Sequence, residues 1–203
     1  MPIAYIGLGS NLGDRLTNLR EAVNRLLDEP AIVPDGDSAV AAIYETSPVG
    51  MATSTLPFLN SVIRVRCTVS PRHILDRLLA IESSMGRVRA PTGVSQTTAT
   101  ASRIIDLDLL MFDDLVVAEP GLTVPHSRIP ERRFVLEPLS EVAADSVHPT
   151  LGVPISALAV AARSERTEQA VTRLYGPNWC DLSGWVPHPR SREGGGWIVA
   201  EGA

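Results

Sequence analysis

The sequence predicts an α+β fold, an antiparallel sheet of split βαβ order with helices packed on one face. Two observations lead there. The first 112 residues read strand, helix, strand, strand, helix, strand, with the helices marked by 3.6-residue apolar spacing and capping residues. Hydrophobic content is 44% over 203 residues, enough for one substantial core.

In order, Ala4 to Ser10 is short, apolar and punctuated by glycine, a buried first strand. Leu16, Leu19, Val23, Leu26 and Leu27 share one helical stripe, with Asp14 as the cap and Pro30 and Pro34 ending the segment. Ser38 to Thr46 reads as the second strand. Phe58 to Thr68 reads as the third, with Leu59, Ile63, Val65 and Cys67 on one face and Phe58 and Asn60 on the other. Ser70-Pro71, a cap and a first-turn proline, opens a helix that runs to Gly86. A long polar loop, residues 88–102, leads to the fourth strand, Arg103 to Phe112, which Asp113-Asp114 turns towards a short partner around Val116. Glu131 to Ala144 is helical in spacing despite Pro138. After about residue 162 the composition becomes polar and then rich in Trp, Pro and Gly, so the expected division is a domain of residues 1–162 and an extension, 163–203, of unknown role.

The net charge of −5 argues against general nucleic-acid binding, which requires a basic face. Cys67 and Cys180 form no metal-spacing motif and read as free thiols of a reducing compartment. No apolar run approaches the roughly 18 residues of a membrane span, and no charged n-region precedes the first apolar stretch. A cytoplasmic protein is expected.

The fourth strand carries the chemistry. Asp106 and Asp108 are two residues apart, so both point to the same side. Among Ile, Leu and Met, two close carboxylates repel each other and lose hydration. Divalent metal removes that conflict: the pair can hold two Mg²⁺ ions against a polyphosphate. Arg87, Arg89, Arg103, His126, Arg128, Arg132 and Arg133 all flank this strand, and guanidinium forks suit phosphate oxygens. Phe58 and Asn60 on one strand face, with Phe134 beyond the basic turn, could sandwich a flat heterocycle and read its edge.

Gly7, Gly9 and Gly13 raise a second reading, a dinucleotide loop of an NADP-dependent oxidoreductase. Its spacing is one residue longer than G-x-G-x-x-G, and Asp35 and Asp37 precede the second strand instead of ending it. Tight-turn glycines are the simpler account. Tight NADPH binding without ATP binding would favour the oxidoreductase.

Taken together, Tyr5-Ile-Gly-Leu-Gly-Ser-Asn-Leu-Gly13, Tyr44-Glu-Thr-Ser-Pro-Val-Gly50, Phe58-Leu-Asn60, Ile81-Glu82 with Gly86-Arg-Val-Arg89, Arg103-Ile-Ile-Asp-Leu-Asp108, and Leu122-Thr-Val-Pro-His126 through Arg132 to Phe134 resemble the 6-hydroxymethyl-7,8-dihydropterin pyrophosphokinase family. The resemblance covers residues 3–160. It implies a ferredoxin-like fold and transfer of pyrophosphate from ATP, as co-substrate, to the pterin hydroxymethyl group in folate biosynthesis, with release of AMP. It assigns Asp106 and Asp108 to two Mg²⁺ ions. It assigns Glu82, Arg87, Arg89, Arg103, His126 and Arg132 to the ATP site, chiefly its triphosphate, and Leu75, Leu109 and Thr123 to the adenine. Thr46, Val49, Phe58, Asn60 and Phe134 fall on the pterin pocket, and Arg87 and Arg103 are expected to stabilise the transition state. The substrates are small molecules, with no nucleic acid or membrane partner; association with the next folate-pathway enzyme is an open expectation.

The departures are local. Residues 88–102 lack the Trp that often covers the substrate in this family, and the loop is long enough to form a lid. Ser127 stands where a Tyr is common, with Arg128 able to compensate, and Phe58 stands where a Tyr can stack. A third reading, a ferredoxin-like module that senses nucleotide without turnover, would bind Mg·ATP and release no AMP.

Overall fold

A computed structural model describes residues 1–36, 39–47, 56–87, 103–180 and 182, and the backbone of 185–187 and 197–199. Strand β1 (Ile3–Ser10) leads into α1 (Arg15–Leu27), then β2 (Ile32–Pro34), β3 (Ile43–Thr46), β4 (Phe58–Cys67), α2 (Pro71–Ser84) and β5 (Asp106–Phe112). A hairpin of β6 (Val117–Glu119) and β7 (Leu122–Val124), a 3-10 turn at Ile129–Glu131, α3 (Arg133–Ala143), α4 (Ile155–Glu165) and β8 (Val171–Tyr175) follow. The last elements are β9 (Trp185–Pro187) and β10 (Trp197–Val199), which pair with each other.

The main sheet runs β5-β1-β4-β3-β8, with β2 also on β4, and every pairing among the described strands is antiparallel. A dinucleotide fold needs parallel βαβ crossovers, so the oxidoreductase reading does not survive. The expected second strand, Ser38 to Thr46, is shorter than its sequence pattern. Among its described residues, 39–46, only Ile43–Thr46 pairs regularly, Val40 makes an isolated bridge to Ile63, and Ile32 to Pro34 forms a separate strand on the same edge of β4. The short segment near Val116 pairs with β7, not with β5.

Both predicted caps are present. The Asp14 carboxylate accepts from Thr17 N at 3.1 Å, and Ser70 Oγ accepts from His73 N at 3.3 Å.

Helices cover both faces of the sheet, a correction to the expectation of one. Ala4, Ile6 and Leu8 of β1, with Leu59, Ile63 and Val65 of β4, pack against α1 and α2. Tyr5, Val62, Leu110 and Met111 pack on the opposite face against Leu136, Leu139, Ile155 and Ala159 of α3 and α4. This second layer does not extend over the end of the sheet where Gly9, Asn60 and Asp106 lie side by side, and the candidate site opens there.

The expected boundary at residue 162 falls inside α4. Beyond it, β8 extends the sheet on β3, and Trp179 is 5% exposed with its Nε1 donating to Ala41 O at 2.8 Å.

Candidate functional site

Strand register builds the floor. Gly9 pairs with Asn60 on one side and Asp106 on the other, and Gly7 pairs with Val62 and Asp108. Residues in register across a sheet share a face, so Asn60, Asp106 and Asp108 all project from the α3 side. The glycines keep that floor low: a Cβ on Gly9 would lie 3.1 Å from Asn60 Oδ1, and one on Gly7 would lie 3.4 Å from the Leu110 side chain. Above the floor is a cavity of about 310 Å³, bordered by Thr46, Phe58, Asn60, Arg103, Asp106, Asp108, Arg128, Arg132, Phe134 and Gln169.

At one end, Asp106 is gripped by two arginines, Arg87 Nη1 on Oδ1 and Arg103 Nη1 on Oδ2. Arg87 also bonds Glu82, a fully buried carboxylate whose Oε1 accepts from Leu107 N at 2.8 Å. Asn11, from the loop after β1, fixes Arg103: Arg103 N donates to Asn11 Oδ1 at 2.6 Å, and Asn11 N donates to Arg103 O at 3.1 Å. Asp108 is held more loosely, by Arg132 Nη1 at 3.5 Å.

Two carboxylates on one strand face, beside open volume, fit Mg²⁺, which is commonly held by one or two carboxylates plus substrate phosphates and water. Among the described residues no group of three or more His, Cys, Asp or Glu could form a protein-only metal cage.

At the other end, Phe58 and Phe134 border the cavity with Thr46 and Asn60. Asn60 Nδ2 donates to Thr46 Oγ1 at 2.7 Å, which fixes the amide and turns its oxygen towards the cavity side of Gly9. The Arg132 guanidinium lies 5.6 Å from the Phe134 ring centroid, within cation–π range. This joins the charged and aromatic halves.

The 7,8-dihydro-6-hydroxymethylpterin-pyrophosphokinase (HPPK) family matches this chain over residues 5–144. The chain belongs to the HPPK family. It is 39% identical over 140 residues to the 2-amino-4-hydroxy-6-hydroxymethyldihydropteridine pyrophosphokinase of Bacillus subtilis, covering 69% of this chain and 77% of that protein. It is 37% identical over 147 residues to the enzyme of the same name from Methylorubrum extorquens, covering 72% and 86%. Among solved structures, wild-type Plasmodium falciparum HPPK-DHPS superposes with a TM-score of 0.60 at 16% identity, covering 82% of this chain and 46% of that one. That likeness concerns the fold, and this chain spans less than half of the larger protein.

Of the residues expected in an HPPK site, Thr46, Phe58, Asn60, Arg103, Asp106, Asp108, Arg132 and Phe134 all border one cavity. Glu82 and Arg87 adjoin it through Asp106 and Leu107. His126 is behind Asp108: its N donates to Leu110 O at 2.8 Å, and its Nδ1 accepts from Arg128 N at 3.1 Å. That second bond requires an unprotonated Nδ1, which puts the ring N–H on Nε2. Burial pushes the imidazole below its ordinary value, against the pull of Asp108.

Three residues assigned to adenine are not brought to this cavity. Leu109 is buried on the opposite sheet face, Leu75 packs against that same core, and Thr123 is exposed on β7. Val49, Arg89 and the proposed lid, 88–102, lie outside the described residues.

Sequence reasoning missed Asn11 as a support for Arg103, although it stood inside the glycine-rich segment under scrutiny. It also missed Gln169, which no motif or periodicity marks.

Proposed function

We propose that this cavity is where ATP and 6-hydroxymethyl-7,8-dihydropterin meet. The chain is an ATP-dependent pyrophosphokinase of folate synthesis, transferring the pyrophosphoryl group of ATP to the pterin hydroxymethyl oxygen with release of AMP. One observation carries the assignment of the site: Asp106 and Asp108 share a face with Asn60 across three strands, and the two phenylalanines border the same cavity.

The reaction needs the hydroxymethyl oxygen in line with the β-phosphorus and the departing AMP oxygen, so positioning and charge neutralisation are the main tasks. Phe58 and Phe134 would stack on the pterin ring, with Asn60 and Thr46 against its edge. Arg87 and Arg103, which grip Asp106 in the free chain, would exchange that carboxylate for phosphate oxygens as the nucleotide enters. Each guanidinium is then worth about 10²-fold or more in rate through stabilisation of developing charge. Arg132 and the Nε2–H of His126 extend the phosphate cradle beside Asp108. Asp106 and Asp108 would hold Mg²⁺, two ions per site, which when bound polarises the phosphates and lowers the pKa of the attacking hydroxyl. No side chain at the pterin end is then required as a base.

Cys67 and Cys180 are both buried, as suits thiols kept reduced, and this supports a cytoplasmic chain. HPPK-DHPS proteins carry this fold within a longer chain, and that pairing supports contact with the enzyme acting next.

The deciding experiment is nucleotide chromatography after incubation with Mg·ATP, with and without the pterin. Pterin-dependent AMP and no ADP is expected. ADP would overturn the mechanism, and ATP binding without turnover would favour the sensing module.

A further inference from the structure

Helix α3 begins with a local rule broken. Its cap residue is Arg132, and no side chain of that residue accepts a helix N–H. Ser, Thr, Asp or Asn ordinarily serves there, because the first backbone donors of a helix have no partner within it. Position 132 is instead committed to the site, with its guanidinium on Asp108 and over Phe134.

The missing acceptor comes from 36 residues downstream of Arg133. Gln169 Oε1 accepts from Arg133 N at 2.9 Å, and its Nε2 donates to Glu131 O at 2.9 Å. One amide therefore brackets Arg132 on both sides. The Gln169 carbonyl also accepts from Arg133 Nη1 at 3.3 Å. The residue is 7% exposed and borders the cavity with Phe134. The next residue holds the opposite flank, where Ala170 O accepts from Ser47 N at 3.3 Å at the end of β3.

Gln169 lies outside the family-matched residues 5–144. It is set in place by β8, which pairs with β3 immediately after it. A buried amide with both ends matched costs little, whereas an apolar side chain in its place strands a helix donor and a carbonyl.

We propose that Gln169 is a positioning residue for the pterin end of the site, holding the Glu131–Phe134 turn so that Phe134 borders the cavity. This rests on the pyrophosphokinase reading of that cavity. The segment after α4 is thus part of the substrate site, with its effect transmitted through α3.

The test is steady-state kinetics for both substrates and equilibrium binding of the pterin, in the full chain. Gln169→Met keeps volume and removes both side-chain hydrogen bonds. The expected result is a rise of about tenfold in KM for the pterin, with a smaller rise in KM for ATP, which Arg132 of the same turn also serves. In a Phe134→Ala background the same substitution should raise the pterin KM less than about twofold, because the group it positions is gone. Gln169→Glu keeps the acceptor for Arg133 N and should show a smaller rise; it reads the same contrast if Gln169→Met does not fold. An unchanged pterin KM, equal effects on both substrates, or equal effects in both backgrounds would overturn the positioning role. A parent chain that makes AMP while Gln169→Met behaves like it overturns this inference alone. A parent that neither binds pterin nor makes AMP overturns the reading of the cavity and this inference with it.

Discussion

Asn11 and Arg103 exchange two hydrogen bonds, Arg103 N to Asn11 Oδ1 at 2.6 Å and Asn11 N to Arg103 O at 3.1 Å. The exchange ties the loop after β1 to the residue that opens the approach to β5, and Asn11 itself is fully buried. The glycine-rich segment therefore serves the site by supporting an arginine, and its glycines serve it by leaving room.

Asn11→Ala should release the Arg103 backbone and misalign its guanidinium. We expect kcat to fall about tenfold to 10²-fold, with the pterin KM within about twofold of the parent. Adding Arg103→Ala should cost less than the two single effects combined, since both act on one group. Additive losses in the double variant would show that Asn11 acts elsewhere.

Glu82 carries a related role from the other side. It is fully buried, and it holds Leu107 N at 2.8 Å together with Arg87. Glu82→Gln keeps an oxygen for Leu107 and withdraws the charge that orients Arg87. The expected outcome is a loss of about 1–3 kcal/mol in stability and about tenfold in kcat. Denaturant unfolding and turnover, measured on the same preparation, check both.

The two aspartates are unequal in the free chain, which separates their effects on stability from their shared role. Asp106 answers two arginines, whereas Asp108 has Arg132 at 3.5 Å and a side chain that is 36% exposed. Asp106→Asn should therefore destabilise the fold by about 1–3 kcal/mol, and Asp108→Asn by less than about 0.5 kcal/mol. Both should lose at least about 10²-fold in turnover, because each removes a proposed Mg²⁺ ligand. Substantial activity in either variant would break the two-carboxylate argument.

Much of this arrangement was legible in the sequence because strand alternation is strict. Asp106 and Asp108 had to share a face, and so did Phe58 and Asn60; register then brought the two pairs together across β1. Periodicity could not say that helices lie on both sides. Val62 and Leu110 are buried on the face opposite Ile63 and Leu109, and such a pattern names two apolar faces without naming what covers them. Resemblance assigns Leu109 to adenine, and its parity on β5, already readable from the strand period, puts it on the face opposite the aspartates. Ile32 to Pro34 was hidden by Pro34, which reads as a helix breaker and is tolerated in a short strand on the sheet's edge region. Gln169 was invisible for another reason: its partners are backbone atoms of residues 131 and 133, and a side chain that bonds to backbone leaves no matching side chain in the sequence.

Gly9→Ala tests the floor. The added methyl would meet Asn60 Oδ1 at 3.1 Å and approach Phe58 Cδ1 at 3.9 Å. Asn60 is held by Thr46 and cannot retreat without losing a buried hydrogen bond. The pterin KM should rise about tenfold or more, while the ATP KM stays within about threefold. A variant with parent-like pterin affinity would remove Asn60 from the pterin edge.

Glu137 links α3 to α4 below the site and gives the fold a defined acid sensitivity. Its carboxylate is nearly buried and accepts from Arg133 Nε at 3.0 Å and Arg163 Nη2 at 2.7 Å. Burial alone would raise its pKa, but the hydrogen bonds and charges of Arg163 and Arg133 outweigh it and hold the carboxyl below 4.5. A depressed carboxylate contributes stability that is fully present above its unfolded value and is lost as pH falls through the folded one. Glu137→Gln, neutral at every pH, should therefore be less stable than the parent by about 1–3 kcal/mol at pH 7. The gap should narrow steadily below about pH 4.5 as the parent's own carboxylate takes up its proton. Urea unfolding of both chains between pH 7 and pH 3 measures it directly. A gap that stays constant over that range would mean that Glu137 acts by shape and hydrogen bonding, with its charge contributing nothing to the clamp on α3.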